Sequence, residues 1–290
     1  MRSRAAFGNR LIEGGAMPGR PFAFFLILTF LMTLPFGGAR AGMEEVPVES
    51  LGPDAIEKTW EQAYFYLPAD ANPYGTGVLG GRRDLTSVAR ALEELSKGKP
   101  RPVVVYMHGC GGFGNSGKFN AGMLAEAGYV VVAPDSFARP GRVKTCDAKT
   151  HSRAGPEGIY QNVVSWRLEE LDRALAGMKG FPWVDWNKLF LFGHSQGSNV
   201  VAAYSGDVFK GRVMSGTRCS TGFNAPKDEP ALAVYSENDP WRHGRRIKCL
   251  DYVGTTGMQV LGLKGTYHVV AKDDEAKARI LNFLAELRDR

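Results

Sequence analysis

Several features common in proteins of this size are missing from the 290-residue sequence. There is no internal repeat and no low-complexity tract, which removes solenoids and fibrous arrays. The main apolar run, Phe22 to Phe36, falls short of the ~20 residues that a membrane-spanning helix needs. Four cysteines are present, Cys110, Cys146, Cys219 and Cys249, but no two stand at the spacing of a CxxC redox or zinc site. Histidine is scarce, with five in all, so few residues are available as a general base. Charge excess is also small once it is located. Arg2, Arg4, Arg10, Arg20 and Arg40 stand against Glu13 in residues 1–41, and the remainder holds 31 basic and 29 acidic residues, a net of +2. That balance gives no support to a nucleic-acid or membrane-surface partner.

What is present begins with a leader. Arg20 precedes the Phe22–Phe36 stretch, and Ala39-Arg40-Ala41 follows it as a small-x-small cleavage pattern. This is the layout of a secretory signal peptide over residues 1–41, with the membrane met only during export to a periplasmic or extracellular space; an uncleaved anchor is the alternative. Met17, followed by Pro18-Gly19-Arg20, makes a more ordinary start than the long polar segment before it. An even number of cysteines in an exported chain favours disulfides.

Residues 42–59 read as an N-terminal arm with a short helical piece near Asp54–Trp60, and residues 60–290 read as one domain. Apolar residues make up 44% of the chain, enough for a sizeable core. Short apolar runs expected as strands are Ala63–Leu67, Pro102–Met107, Tyr129–Ala133, Lys188–Phe192, Arg212–Met214, Ala231–Tyr235 and Met258–Leu263. Helical spacing is expected at Ser87–Lys97, Lys118–Ala127, Ile159–Lys179, Ser198–Tyr204 and Asp273–Arg288, with Pro68–Gly81 as turns. Strands that alternate with helices and read as continuous apolar runs imply an α/β fold with a mostly parallel sheet covered on both faces. Ligands then bind beyond the carboxyl ends of the strands.

Gly193-His194-Ser195-Gln196-Gly197 sits where one of these strands turns into a helix. So tight a turn leaves no room for side chains at its flanking glycines and lifts Ser195 to the top of the sheet, beside a helix N-terminus. A serine hydroxyl needs a base, and the base needs an acid to orient it. His268 lies beyond the last strand at the correct edge, with His243 as the alternative. Of the other candidates, His108, His151 and His194, the last adjoins the nucleophile and points elsewhere, and His108 opens another loop. Asp239 follows the strand Ala231–Tyr235, with Glu237 and Asp251 as competing acids. Two backbone donors are needed for an oxyanion. Gln196 N–H supplies one, and the loop His108-Gly109-Cys110-Gly111-Gly112 supplies the other, from Cys110 ahead of Gly111. Arg139, Arg142, Lys144, Lys149 and Arg153, together with Arg242, Arg245, Arg246 and Lys248, are expected to rim the same edge; such a rim is most often plain solvated surface, with steering of an anionic ester as the alternative. Phe113, Phe137, Tyr160 and Trp241 are candidate pocket walls, with core packing as the equal alternative for each.

The order Ser195, Asp239, His268, with the loop 108–112 and the elbow 193–197, resembles the α/β-hydrolase superfamily, and Tyr129-Val-Val-Val-Ala-Pro-Asp135 resembles its dienelactone hydrolase-like branch. Many members of that branch use a cysteine nucleophile, whereas Ser195 stands here and favours a serine esterase. The resemblance implies an enzyme without metal or cofactor, cleaving small-molecule or polymeric carboxylic esters through an acyl-enzyme. A peptidase of the same fold, or a catalytically silent binding protein that kept it, are the alternatives. The branch's strand order further implies the disulfides Cys110–Cys146 and Cys219–Cys249.

Overall fold

The structure is a computed structural model and describes residues 52–142, 163–242 and 244–290. The expected signal peptide lies outside them, as do Cys146, His151, Tyr160 and His243. The centre is built from runs such as Val103-Val104-Val105, β-branched and apolar on both sides, which only a doubly covered strand can bury. Eight strands form one sheet: β1 (Tyr64–Leu67), β2 (Leu79–Arg82), β3 (Arg101–Met107), β4 (Val130–Ala133), β5 (Val184–His194), β6 (Gly211–Ser215), β7 (Ala231–Ser236) and β8 (Met258–Leu263). Their order is β2-β1-β4-β3-β5-β6-β7-β8. From β4 to β8 all neighbours are parallel, while β1 pairs antiparallel with β2 and β4 at one edge.

Among the described residues six helices cover the sheet: α1 (Pro53–Glu61), α2 (Thr86–Leu95), α3 (Gly114–Glu126), α4 (Val163–Met178), α5 (Gln196–Ala203) and α6 (Asp274–Arg288). Alternate residues of each strand enter opposite cores. Val103, Val105, Leu189 and Leu191 pack with Trp60 of α1, Leu92 of α2, Leu171 of α4 and Val200 of α5. Val104, Tyr106, Phe190 and Phe192 pack with Leu124 of α3 and Phe283 of α6. This is the α/β-hydrolase architecture anticipated from the sequence.

Two elements differ from the expectation. The turn-rich segment 68–81 ends in strand β2, disguised by Gly80 and Gly81; a Cβ on Gly80 would collide with the Tyr66 ring. Helix α3 starts at Gly114 rather than Lys118, because its first turn is glycine-rich and a Cβ on Gly117 would lie 2.8 Å from the Phe113 ring. Helix α1 joins the domain: Trp60 is buried, and Glu57 meets Arg173 of α4 at 2.5 and 2.7 Å.

Candidate active site

The site grows from the end of β5. Ser195 sits between β5 and α5 at φ 56° and ψ −119°, a conformation that costs a non-glycine residue of order 1–3 kcal/mol and persists only when its surroundings enforce it. Here they do. Ser195 N–H donates to Ser215 O at 2.8 Å, and Ser198 Oγ lies 2.8 Å from both Gly193 O and Ser215 O. The glycines are sterically required. A Cβ on Gly193 would strike the Gly197 carbonyl, and one on Gly197 would strike the Met107 carbonyl of β3.

Three strand ends bring three side chains together. His268 follows β8, and its Nε2 is 2.8 Å from Ser195 Oγ. Its Nδ1 is 2.7 Å from Asp239 Oδ2, just beyond β7. Asp239 is buried and spends its other oxygen, Oδ1, on the Trp241 amide at 2.9 Å, which fixes the carboxylate plane. Ser236 Oγ donates to Tyr267 O at 2.7 Å and steadies the loop that carries His268. The competing acids are turned elsewhere. Glu237 is exposed and holds Arg242 through its backbone carbonyl, while Asp251 pairs with Arg246. His194 is buried, with its ring 5.0 Å from that of His268. Burial, then the proximity of His268, holds its pKa well below the ordinary histidine range, so it stays neutral and does not compete for the serine proton.

Cys110 and Gln196 line the same open cleft as Ser195 and His268. Gly111 lines an adjoining groove that runs from Ser195 over the glycine-rich loop. Cys110 is disulfide-bonded, and its expected partner Cys146 lies outside the described residues. Cys219 is bonded to Cys249, as anticipated.

The expected basic rim requires correction. Arg139 is buried and bonds Glu170 Oε1 at 2.6 Å, so it does not face the cleft. Arg142 lies over the Phe137 ring at 5.1 Å. Lys144, Lys149 and Arg153 fall outside the described residues. Arg242 does line the cleft, and beside it stands Arg218, which the sequence reading missed. Arg218 follows β6, so the rule that sites gather at carboxyl strand ends points to it as well. Its pKa is lowered, first by burial and then by the charges of Arg245 and Arg242. Trp241 is a cleft wall, as expected, with its ring 5.6 Å from His268. Phe113 instead belongs to the core, stacked on Tyr64 at 4.1 Å. Among the described residues, no three His, Cys, Asp or Glu side chains converge to hold a metal ion.

The family model of the Dienelactone hydrolase family matches residues 89–248, more than half of the chain. The chain belongs to the dienelactone hydrolase family. It is a serine ester hydrolase, and small-molecule esters are its substrate class. Among curated proteins no sequence matches. Similar solved structures include a dienelactone hydrolase-like promiscuous phosphotriesterase from metagenomic libraries, 18% identical, covering 66% of this chain and 88% of its own, with a TM-score of 0.48. A putative dienelactone hydrolase from Klebsiella pneumoniae subsp. pneumoniae MGH 78578 is 17% identical, covers 64% of this chain and 88% of its own, and has a TM-score of 0.45. An esterase from the archaeon Pyrobaculum calidifontis is 14% identical, covers 81% and 88%, and has a TM-score of 0.45.

Proposed function

We infer that this family member is an exported esterase that works through an acyl-enzyme on Ser195. The observation that carries the reading is the continuous relay from Ser195 Oγ through His268 to Asp239, at 2.8 and 2.7 Å, opening on one cleft. In this mechanism Ser195 Oγ attacks the ester carbonyl and His268 Nε2 takes its proton. Asp239 accepts the Nδ1–H and stabilises the imidazolium. The carbonyl oxygen, now negative, is held by the amides of Cys110 and Gln196, in a setting where such donors lower the barrier most. Collapse expels the alcohol, which takes the proton back from His268. Water then attacks the acyl-enzyme by the same route and frees the acid. Every step is a proton transfer or an acyl transfer, so the cycle runs without metal or cofactor.

Arg218 and Arg242 at the cleft favour an ester that carries negative charge, in a small molecule or along a polymer. Residues 1–41 act as the signal peptide, and helix α1, which overlaps the expected arm 42–59, belongs to the catalytic domain. The Cys219–Cys249 disulfide supports an oxidising compartment, periplasmic or extracellular.

Rapid mixing with a p-nitrophenyl ester, acid quench and peptide mass analysis test this function. The expected result is a transient acyl mass on the Ser195 peptide. Turnover with no acyl mass there at any quench time overturns the acyl-enzyme.

A further inference from the structure

His108 is used by no step of that mechanism, yet it is buried at the head of the loop whose Gly109 and Cys110 line the site with Ser195. Its ring joins two backbone segments. Nδ1 lies 2.7 Å from Gly109 O, and Nε2 lies 3.2 Å from Ser136 N. A backbone amide only donates, so Nε2 accepts from it. The proton of a neutral imidazole is therefore on Nδ1, where it is donated to the Gly109 carbonyl. Burial, with Arg167 and Arg142 nearby, keeps the ring neutral. Gly112 N–H donates to the same carbonyl at 3.2 Å.

The consequence follows from peptide geometry. The structure contains no cis peptide bond among the described residues. In a planar trans unit the carbonyl and the following N–H point in opposite directions. Holding the Gly109 carbonyl against His108 therefore aims the Cys110 N–H the other way. A Cβ built on Gly109 would lie 3.5 Å from Ser195 Cβ, so this peptide unit lies against the serine. Behind His108 the restraint continues. Ser136 Oγ donates to Glu170 Oε1 at 3.0 Å, and Arg139 Nε donates to the same oxygen at 2.6 Å. Arg167, fully buried and 3.9 Å from the other Glu170 oxygen, reaches Gln196 Oε1 at 3.4 Å. Buried polar groups thus extend from the Gly109–Cys110 peptide to Glu170 by hydrogen bonds, and from Glu170 to Arg167 and Gln196 across an ion pair of 3.9 Å.

We propose that His108 is a positioning residue for the oxyanion site, whose Nδ1–H sets the Gly109–Cys110 peptide so that the Cys110 amide faces the tetrahedral intermediate. This rests on the reading of Cys110 and Gln196 as oxyanion donors. Two near-isosteric variants separate the two bonds that His108 makes. The side-chain amide of His108→Asn can stand at the Nδ1 position and keep the bond to Gly109. That of His108→Gln reaches the Nε2 position and keeps only the bond to Ser136.

Removing an oxyanion donor costs about 100- to 1,000-fold in kcat, and a misaimed donor is expected to cost about 10- to 100-fold. His108→Gln should lose kcat by that factor with KM unchanged, and its affinity for a trifluoromethyl ketone should fall in parallel. His108→Asn should retain most of kcat. A purely structural role would lower the melting temperature of both variants without this split, and equal kcat in the two folded variants overturns the proposal. Where neither variant folds, 15N-histidine NMR of the native enzyme decides. Neutral His108 protonated on Nδ1 supports the proposal, and protonation on Nε2 contradicts it. A crystal structure of the phosphonate adduct of Ser195 keeps the two readings apart. A phosphoryl oxygen away from the Cys110 amide refutes the oxyanion assignment itself. An oxygen on that amide, with unaltered His108→Gln kinetics, refutes only the role of His108.

Discussion

Ser195, His268 and Asp239 come from three different strand ends and meet through bonds of 2.8 and 2.7 Å. Asp239 matters because its Oδ2 fixes which imidazole nitrogen carries the proton. Asp239→Asn keeps the shape but presents an amide that can donate to Nδ1, which reverses the tautomer. The expected loss is roughly 1,000- to 10,000-fold in kcat with a nearly unchanged fold, read by steady-state kinetics beside circular dichroism. A loss below tenfold would contradict the relay. The meeting of these three residues was legible because each one lies within a few residues of the carboxyl end of an apolar strand. Arg218 was not legible: it follows β6 within Gly216-Thr217-Arg218-Cys219, which looks like an ordinary polar turn. Arg139 was misread for the opposite reason. Its charge is plain in the sequence, but its partner Glu170 is 31 positions away, and only the fold brings them to 2.6 Å.

At the scale of elements, the β5–α5 turn allows no slack, whereas α3 does. Gly197→Ala would push a methyl group into the Met107 carbonyl, which belongs to the central sheet and cannot withdraw. Overpacking of this kind costs ~1–3 kcal/mol or more, and it should also displace Ser195 and abolish activity. Gly122 lies within α3 with no atom within 4 Å of its added Cβ, so Gly122→Ala should gain about 0.5–1 kcal/mol. Urea denaturation of the two variants checks the pair. Equal shifts would mean that the elbow is looser than described here. The Cys219–Cys249 bridge ties the loop after β6 to the segment before β8 across a separation of 30 residues. A loop of that length is worth roughly 3–4 kcal/mol in the chain-entropy account. Cys219→Ser with Cys249→Ser should lose about that much stability, and a change under 1 kcal/mol would contradict it. The places of most strands and helices along the chain were readable from apolar periodicity, whereas their order in the sheet was not. Strand β2 and the first turn of α3 were not, because their glycines answer to the neighbouring Tyr66 and Phe113 rings rather than to local propensity.

For the whole molecule, pH should act through two buried neutral histidines. His108 and His194 both have folded pKa values held well below the ordinary 6.5, chiefly by burial. As pH falls through 6.5 the unfolded chain takes up these protons first, so stability is full above that value and is lost progressively below it. The slope reaches up to about 1.4 kcal/mol per pH unit for each histidine. Asp135 and Glu229, raised by burial, act with the opposite sign and nearer the acid range. Urea midpoints at pH 7.5 and 5.5 should therefore differ, with the lower at pH 5.5, and identical midpoints would contradict the buried neutral pair. The central claim, an activated serine on an α/β-hydrolase sheet, is tested most directly by intact mass. Residues 42–290, the proposed mature form, are weighed with and without a fluorophosphonate, beside Ser195→Ala. The account predicts one adduct per chain, absent from the variant. A folded, oxidised enzyme that gains no mass, or a Ser195→Ala protein that gains it equally, would contradict it.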